Sequence, residues 1–151
     1  MKVSIVIPVY YNEDNLYPLY ADIKEKFIDK IDYDYEIVMV NDGSKDRSYE
    51  VMQELADQDP NIKIVSLSRN FGSHAAILCG LEKCTGDCAV VKAADLQEPT
   101  ELILKMVESW KQGNNVVLAV RQDRKESFGT KLFANTYYWM VRKAALSNMP
   151  K

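Results

Sequence analysis

Histidine occurs once in these 151 residues, as His74, and cysteine three times, as Cys79, Cys84 and Cys88. A single histidine makes no zinc site, and an odd set of cysteines without ligand spacing reads as buried thiols in a reducing compartment. The six glycines form neither a Walker A loop nor the dinucleotide fingerprint, and no nucleophile triad is visible. No apolar run reaches the roughly 18 residues that suggest a membrane span. Met1-Lys2 leads at once into a strand pattern, so neither a span nor a signal peptide is expected. A net charge of −3 argues against a general nucleic-acid binder.

What is present is a globular composition, 47% hydrophobic and 27% charged, in a length that suits one domain. The charge is uneven. Residues 1–120 hold 12 basic and 20 acidic side chains, net −8, whereas residues 121–151 hold 7 and 2, net +5. Such a basic end could face an anionic partner or surface.

Periodicity predicts strands at Val3 to Ile7, stopped by Pro8, and at Glu36 to Val40, Ile62 to Leu67, Cys88 to Val91 and Val116 to Val120. Between them lie helical patterns. Asn15 to Lys30 carries Leu16, Leu19, Ile23 and Phe27 on one stripe, and Asp46 to Gln58 carries Val51, Met52 and Leu55. A third helix turns Ile77, Leu78 and Leu81 inward, and a fourth spans 100–112 with Gly113 as its cap. Strands alternating with helices of this length give βαβ units and a mainly parallel sheet. Phe128 to Ala145 adds an aromatic helix with cationic flanks, which suits either packing on the sheet or an interfacial membrane position.

Four polar clusters fall where strands end: Pro8 to Asp14, Asn41 to Ser44, Arg69 to His74, and Asp95 to Glu98. Ligands of open α/β sheets sit outside the carboxyl ends of the strands, so the clusters suggest one assembled crevice. Asp95 is placed to hold a metal or a phosphate-bearing ligand, or else it is a turn or cap residue. Asp42 can accept from a base N–H while Tyr10 stacks on that base, or it caps the helix starting near Ser44. Arg69 can meet phosphate or simply face solvent. His74, in the first turn of a helix, reads as a local hydrogen-bonding residue.

Four stretches in order carry a resemblance. They are Ser4-Ile5-Val6-Ile7-Pro8-Val9-Tyr10-Tyr11-Asn12-Glu13, Val40-Asn41-Asp42-Gly43-Ser44-Lys45-Asp46, Arg69-Asn70-Phe71-Gly72 and Ala94-Asp95-Leu96-Gln97-Glu98-Pro99. Together they resemble the inverting glycosyltransferase family 2, and within it the polyprenyl-phosphate sugar transferases. The resemblance implies a GT-A-like, Rossmann-like three-layer α/β sandwich. Residues 1–120 would be its nucleotide-sugar-binding core, and 121–151 would begin an acceptor-side region. It implies a UDP-hexose or GDP-mannose donor bound with Mg²⁺ or Mn²⁺, and a polyprenyl-phosphate acceptor. Asp95 would be the metal ligand, Asp42 the base contact, Tyr10 the stacking residue, and Gln97 would lie beside the sugar. Pro8 and Glu13 belong to the same donor-binding set, with Arg69 and Arg121 approaching phosphates. A cytoplasmic location follows, free or peripheral at the membrane's cytoplasmic face.

Two positions depart from the family pattern. Its Asp-x-Asp metal motif is Ala93-Ala94-Asp95 here, and its Asp-Asp-Gly-Ser begins with Asn41. The missing carboxylate should weaken metal and donor binding, because two phosphates need their charge neutralised before they sit beside an acid. The catalytic base is not assigned. The rival expectation is a non-catalytic or regulatory family member that keeps the fold and part of the nucleotide site.

Overall fold

A computed structural model describes residues 1–120 of the chain. The expected helix at Phe128 to Ala145, and Arg121, lie outside the described residues. Strand β1 (Lys2–Val9) is an almost continuous apolar run, as suits a strand covered on both faces. It pairs in parallel with β2 (Asp34–Asn41), from Lys2 opposite Asp34 to Val9 opposite Asn41. β3 (Ile62–Ser66) extends the sheet beyond β2, and β4 (Cys88–Val91) pairs with the other edge of β1. The order β3-β2-β1-β4 therefore reverses direction at β1, which makes that strand's carboxyl end a topological switch point.

Alternation along the strands divides the core in two. Val3, Ile5, Ile7, Ile37 and Met39 join one buried cluster with helix α1 (Leu16–Lys26), α2 (Ser48–Gln58) and α4 (Glu101–Lys111). Val38 and Val40 face the other way, onto Ala76 of helix α3 (Ser73–Lys83). The result is a three-layer α/β sandwich. Full burial of each large apolar side chain in it contributes roughly 1.5–3 kcal/mol.

Four expectations need correction. β1 runs past Pro8 to Val9. The backbone groups of Lys2 and Val6 serve the β4 side, accepting from Asp87 and Lys92, while Val9 accepts from Asp42 on the β2 side. Pro8 thus turns its missing N–H toward β4, whose ladder has already ended at Val91, and loses nothing. The first helix stops at Lys26, and Ile28–Lys30 forms a separate 3₁₀ turn.

The third correction concerns α3. Its buried residues are Ala76 and Gly80, while Leu78 is 67% exposed and Leu81 also faces solvent. Small residues let the helix lie close on the sheet: a Cβ on Gly80 would stand 2.4 Å from Val6 Cγ1. Finally, Val116 to Val120 forms no ladder among the described residues, and Val116, Leu118 and Val120 are all more than three-quarters exposed. A strand exists only through its pairing, and this apolar run has no partner strand there.

At the amino end of the sheet, Glu36 is 1% exposed yet charged. Lys63 and Lys2 lie 2.7 and 3.0 Å from its carboxylate. Ser4 Oγ and the amide and hydroxyl of Thr85 also donate to it. This knot ties the α3–β4 connection to β1, β2 and β3 on the rim opposite the polar loops.

Candidate functional site

The loops leaving the carboxyl ends of β1 and β2 are joined by side-chain caps. Tyr11 N donates to Ser44 Oγ and Asn12 N to Ser48 Oγ. Glu13 Oε2 accepts from Arg47 N at 2.7 Å, and Asp46 Oδ1 from Ser48 N at 3.1 Å. Two carboxylates thus stand at the start of α2, where orphan N–H groups and the helix dipole favour negative charge. Asn41 is buried and uses both ends of its amide, accepting from Ser44 N and donating to Ser66 Oγ. A carboxylate could only accept, so the departure Asn41 has a structural use.

Asp42, 2% exposed, reaches across to the loop after β3. Its Oδ1 accepts from Phe71 N at 2.8 Å and its Oδ2 from Gly72 N at 3.0 Å. Its carboxylate does not cap α2; it clamps the backbone that leads into α3. Gly43 makes this approach sterically open. It has φ +70°, and a Cβ there would lie 2.5 Å from the carbonyl carbon of Arg69. We expect Gly43→Ala to destabilise the fold by roughly 1–3 kcal/mol, from left-handed strain and overpacking. A urea midpoint equal to that of the unmodified chain would contradict this packing.

The loop after β4 carries Asp95, whose Oδ1 accepts from Gln97 N at 3.1 Å. Leu96 sits at φ +59°, a left-handed conformation that side chains rarely adopt. Pro8, Tyr10, Asp42 and Asp95 all line one crevice of about 370 Å³ at the switch point, with Asn12 and Asn70. Ala93 and Ala94 form part of its wall. A larger hollow, about 620 Å³, lies between the β2 entry and α4. It lies at the amino end of β2, away from the carboxyl ends of the strands, so the smaller crevice is the candidate site.

Of the other expected site residues, Glu13 caps α2, and Gln97 and Arg69 are exposed beside the crevice without lining it. The Arg69 guanidinium lies 4.4 Å from the Phe71 ring centre, a cation–π contact. Tyr10 packs against Tyr11 with the two rings nearly perpendicular, and it stays half exposed. His74 is exposed at the start of α3. No group of three or more metal-ligating side chains occurs among the described residues. Glu36 and Lys92, two buried charges at the ends of apolar strand runs, were not among the expected functional residues. An ionisable residue in a buried run was the available signal.

The strand order, with its switch point beside a polar crevice, is that of a GT-A-like, Rossmann-like α/β sandwich. The chain belongs to glycosyl transferase family 2, whose family model matches residues 4–149. It is 47% identical over 93% of its length to the uncharacterized glycosyltransferase YkcC of Bacillus subtilis. It is 37% identical over its whole length to the bactoprenol glucosyl transferase of Shigella phage SfX. Over 98% it is 40% identical to the undecaprenyl-phosphate 4-deoxy-4-formamido-L-arabinose transferase of Pectobacterium atrosepticum. The chain spans 44%, 48% and 45% of these relatives respectively. S. aureus TarS 1–349 in complex with UDP shares the fold, with a TM-score of 0.62 at 19% identity, over 83% of this chain and 40% of that one. The mannosyltransferase PcManGT from Pyrobaculum calidifontis, in complex with GDP-Man and Mn²⁺, has a TM-score of 0.60 at 23% identity, over 72% and 31%. Among the described residues, no helix is long and apolar enough to cross a membrane.

Proposed function

We propose that this chain is the donor-binding part of an inverting glycosyltransferase, taking a nucleoside-diphosphate sugar together with Mg²⁺ or Mn²⁺. The observation that carries the reading is the meeting of Pro8, Tyr10, Asp42 and Asp95 in one crevice at the switch point. Tyr10 offers a ring to the base. Asp42 keeps lone pairs beyond the two it gives to the Phe71 and Gly72 amides, and one of these can accept a base N–H. Arg69 precedes Asn70 of the crevice lining, and its long exposed side chain would approach phosphate.

The residues fit a divalent cation. Magnesium sites on phosphate ligands commonly use one or two carboxylates, with the phosphates and water completing the shell. Asp95 is an exposed carboxylate with, among the described residues, a single internal hydrogen bond, on Oδ1, and so can be that ligand. When bound, the cation supplies positive charge that stabilises a departing diphosphate without a protonating acid. For the whole protein we propose transfer of a hexose to a polyprenyl phosphate, with inversion. The functions named for the bactoprenol and undecaprenyl-phosphate relatives support this acceptor class.

Ala93, in the crevice wall where the family pattern has an acid, favours a second reading: nucleotide binding without turnover. Calorimetry with UDP, GDP, UDP-glucose and GDP-mannose, with and without Mg²⁺ or Mn²⁺, tests the proposal. One base is expected to bind, and more tightly with metal. Absence of binding by all four ligands under both conditions would overturn it.

A further inference from the structure

Lys92 follows β4 directly and is 2% exposed. Its backbone N–H makes the closing bond of the β1–β4 ladder, donating to Val6 O at 2.9 Å. It is two residues on from Val90, a member of the cluster packed by α1 and α4. Strand alternation places its side chain on that face, behind the crevice wall that Ala93 and Ala94 form. An ammonium there is costly to desolvate, and an apolar residue would suit the position better on burial alone.

What the ammonium does is specific. Nζ donates to Glu98 O at 2.8 Å, at the far end of the loop that carries Asp95. Ala93 N reaches Glu98 Oε2 at 3.4 Å, and Gln97 N closes a short turn on Asp95. Between these ties lies Leu96 at φ +59°, a strained conformation that persists only where its surroundings over-determine it. The base of the loop is fixed too, since Thr100 Oγ1 donates to Asp22 and Lys26 bridges Asp22 and Glu101. Burial pushes the Asp22 carboxyl up, but hydrogen bonds from Lys26 and Thr100 and the charge of Lys92 hold it below its ordinary value.

We infer that Lys92 is a positioning residue: its buried ammonium holds the 93–98 loop in the strained form that presents Asp95 to the crevice. The inference rests on the donor-site reading, because it concerns how Asp95 meets a cation and diphosphate. It implies that Lys92 governs the metal-dependent part of nucleotide affinity and leaves the metal-free part alone.

The test is calorimetry of the full chain with UDP and GDP, with and without Mg²⁺, for the unmodified protein, Lys92→Met and Lys92→Arg, beside thermal melts. Methionine keeps the length of the side chain and suits an apolar surrounding, so Lys92→Met is expected to fold. Its gain in affinity on adding Mg²⁺ should fall at least tenfold, its metal-free affinity should stay within twofold, and Lys92→Arg should recover part of the gain. A full metal-dependent gain in Lys92→Met would overturn the inference. So would an equal fall in metal-free and metal-dependent affinity accompanied by a lower melt, which marks a merely structural role. An unmodified chain with no metal-dependent binding is a separate result. It would overturn the donor-site reading, and this inference with it.

Discussion

Glu36→Ala is expected to lower stability by about 3 kcal/mol, near the lower end for a buried ion pair that loses one partner. The lower end applies because Lys2 and Lys63 keep partial access to water, while Ser4 and the Thr85 amide lose their acceptor. In a chain of this size that corresponds to a fall of roughly 10 °C in the melting midpoint. The same residue gives the fold an acid limit. Burial alone pushes its carboxyl up, but the hydrogen bonds from Lys63, Ser4, Thr85 and Lys2 outweigh this and hold it far below the ordinary 4.5. A depressed carboxyl contributes stability fully above its unfolded value and loses it as pH falls toward the folded one. Stability should therefore drop as pH descends below about 4.5, and the Glu36→Ala chain should show a shallower drop. Parallel urea titrations at pH 7, 4.5 and 3.5 check both statements. A pH profile of equal slope in the two proteins would remove Glu36 as the cause.

The second large effect concerns Asp42. As a helix cap, asparagine would replace it almost without loss, since the two rank together at that position. As a clamp on two adjacent amides, it has no such substitute: one end of an asparagine side chain carries N–H groups that would face an N–H of Phe71 or Gly72. We expect Asp42→Asn to cost about 2–3 kcal/mol of stability, from a lost charge-assisted bond and an unsatisfied donor. Nucleotide affinity should fall at least tenfold in the same variant. Chemical denaturation beside a UDP and GDP titration reads both. An Asp42→Asn chain with unchanged midpoint and affinity would leave neither the clamp nor the base contact standing.

Much of this architecture was legible because buried parallel strands leave apolar runs, as β1 and β2 do; β4 has such a run too, although it is an edge strand with Ala89 and Val91 exposed. Strand-end loops follow from those runs, so the grouping of Pro8, Tyr10, Asp42 and Asp95 could be anticipated before any coordinates. The misses have physical causes. Apolarity alone points Leu78 and Leu81 inward, whereas Ala76 and Gly80 occupy the buried face of α3 so that the helix can approach the sheet closely. Pro8 looked like a strand end because its missing donor matters only on the side where a partner strand continues. Val116 to Val120 has the composition of a strand, but composition does not supply a neighbour. Of the two readings offered for Asp42, the α2 cap fails, because its backbone partners lie about thirty residues later in the chain.

The central claim is that Asp95 joins a divalent cation to the diphosphate of a nucleotide seated beside Tyr10 and Asp42. Calorimetric titration of the unmodified chain and Asp95→Ala with UDP and GDP, in Mg²⁺ and in EDTA, tests it most directly. The account predicts that the preferred nucleotide binds the unmodified chain tenfold or more tightly in Mg²⁺, about 1.5–3 kcal/mol from a charged contact. Asp95→Ala should bind in Mg²⁺ only as weakly as the unmodified chain does in EDTA. Equal affinities in Mg²⁺ and EDTA, unaffected by Asp95→Ala, would contradict it.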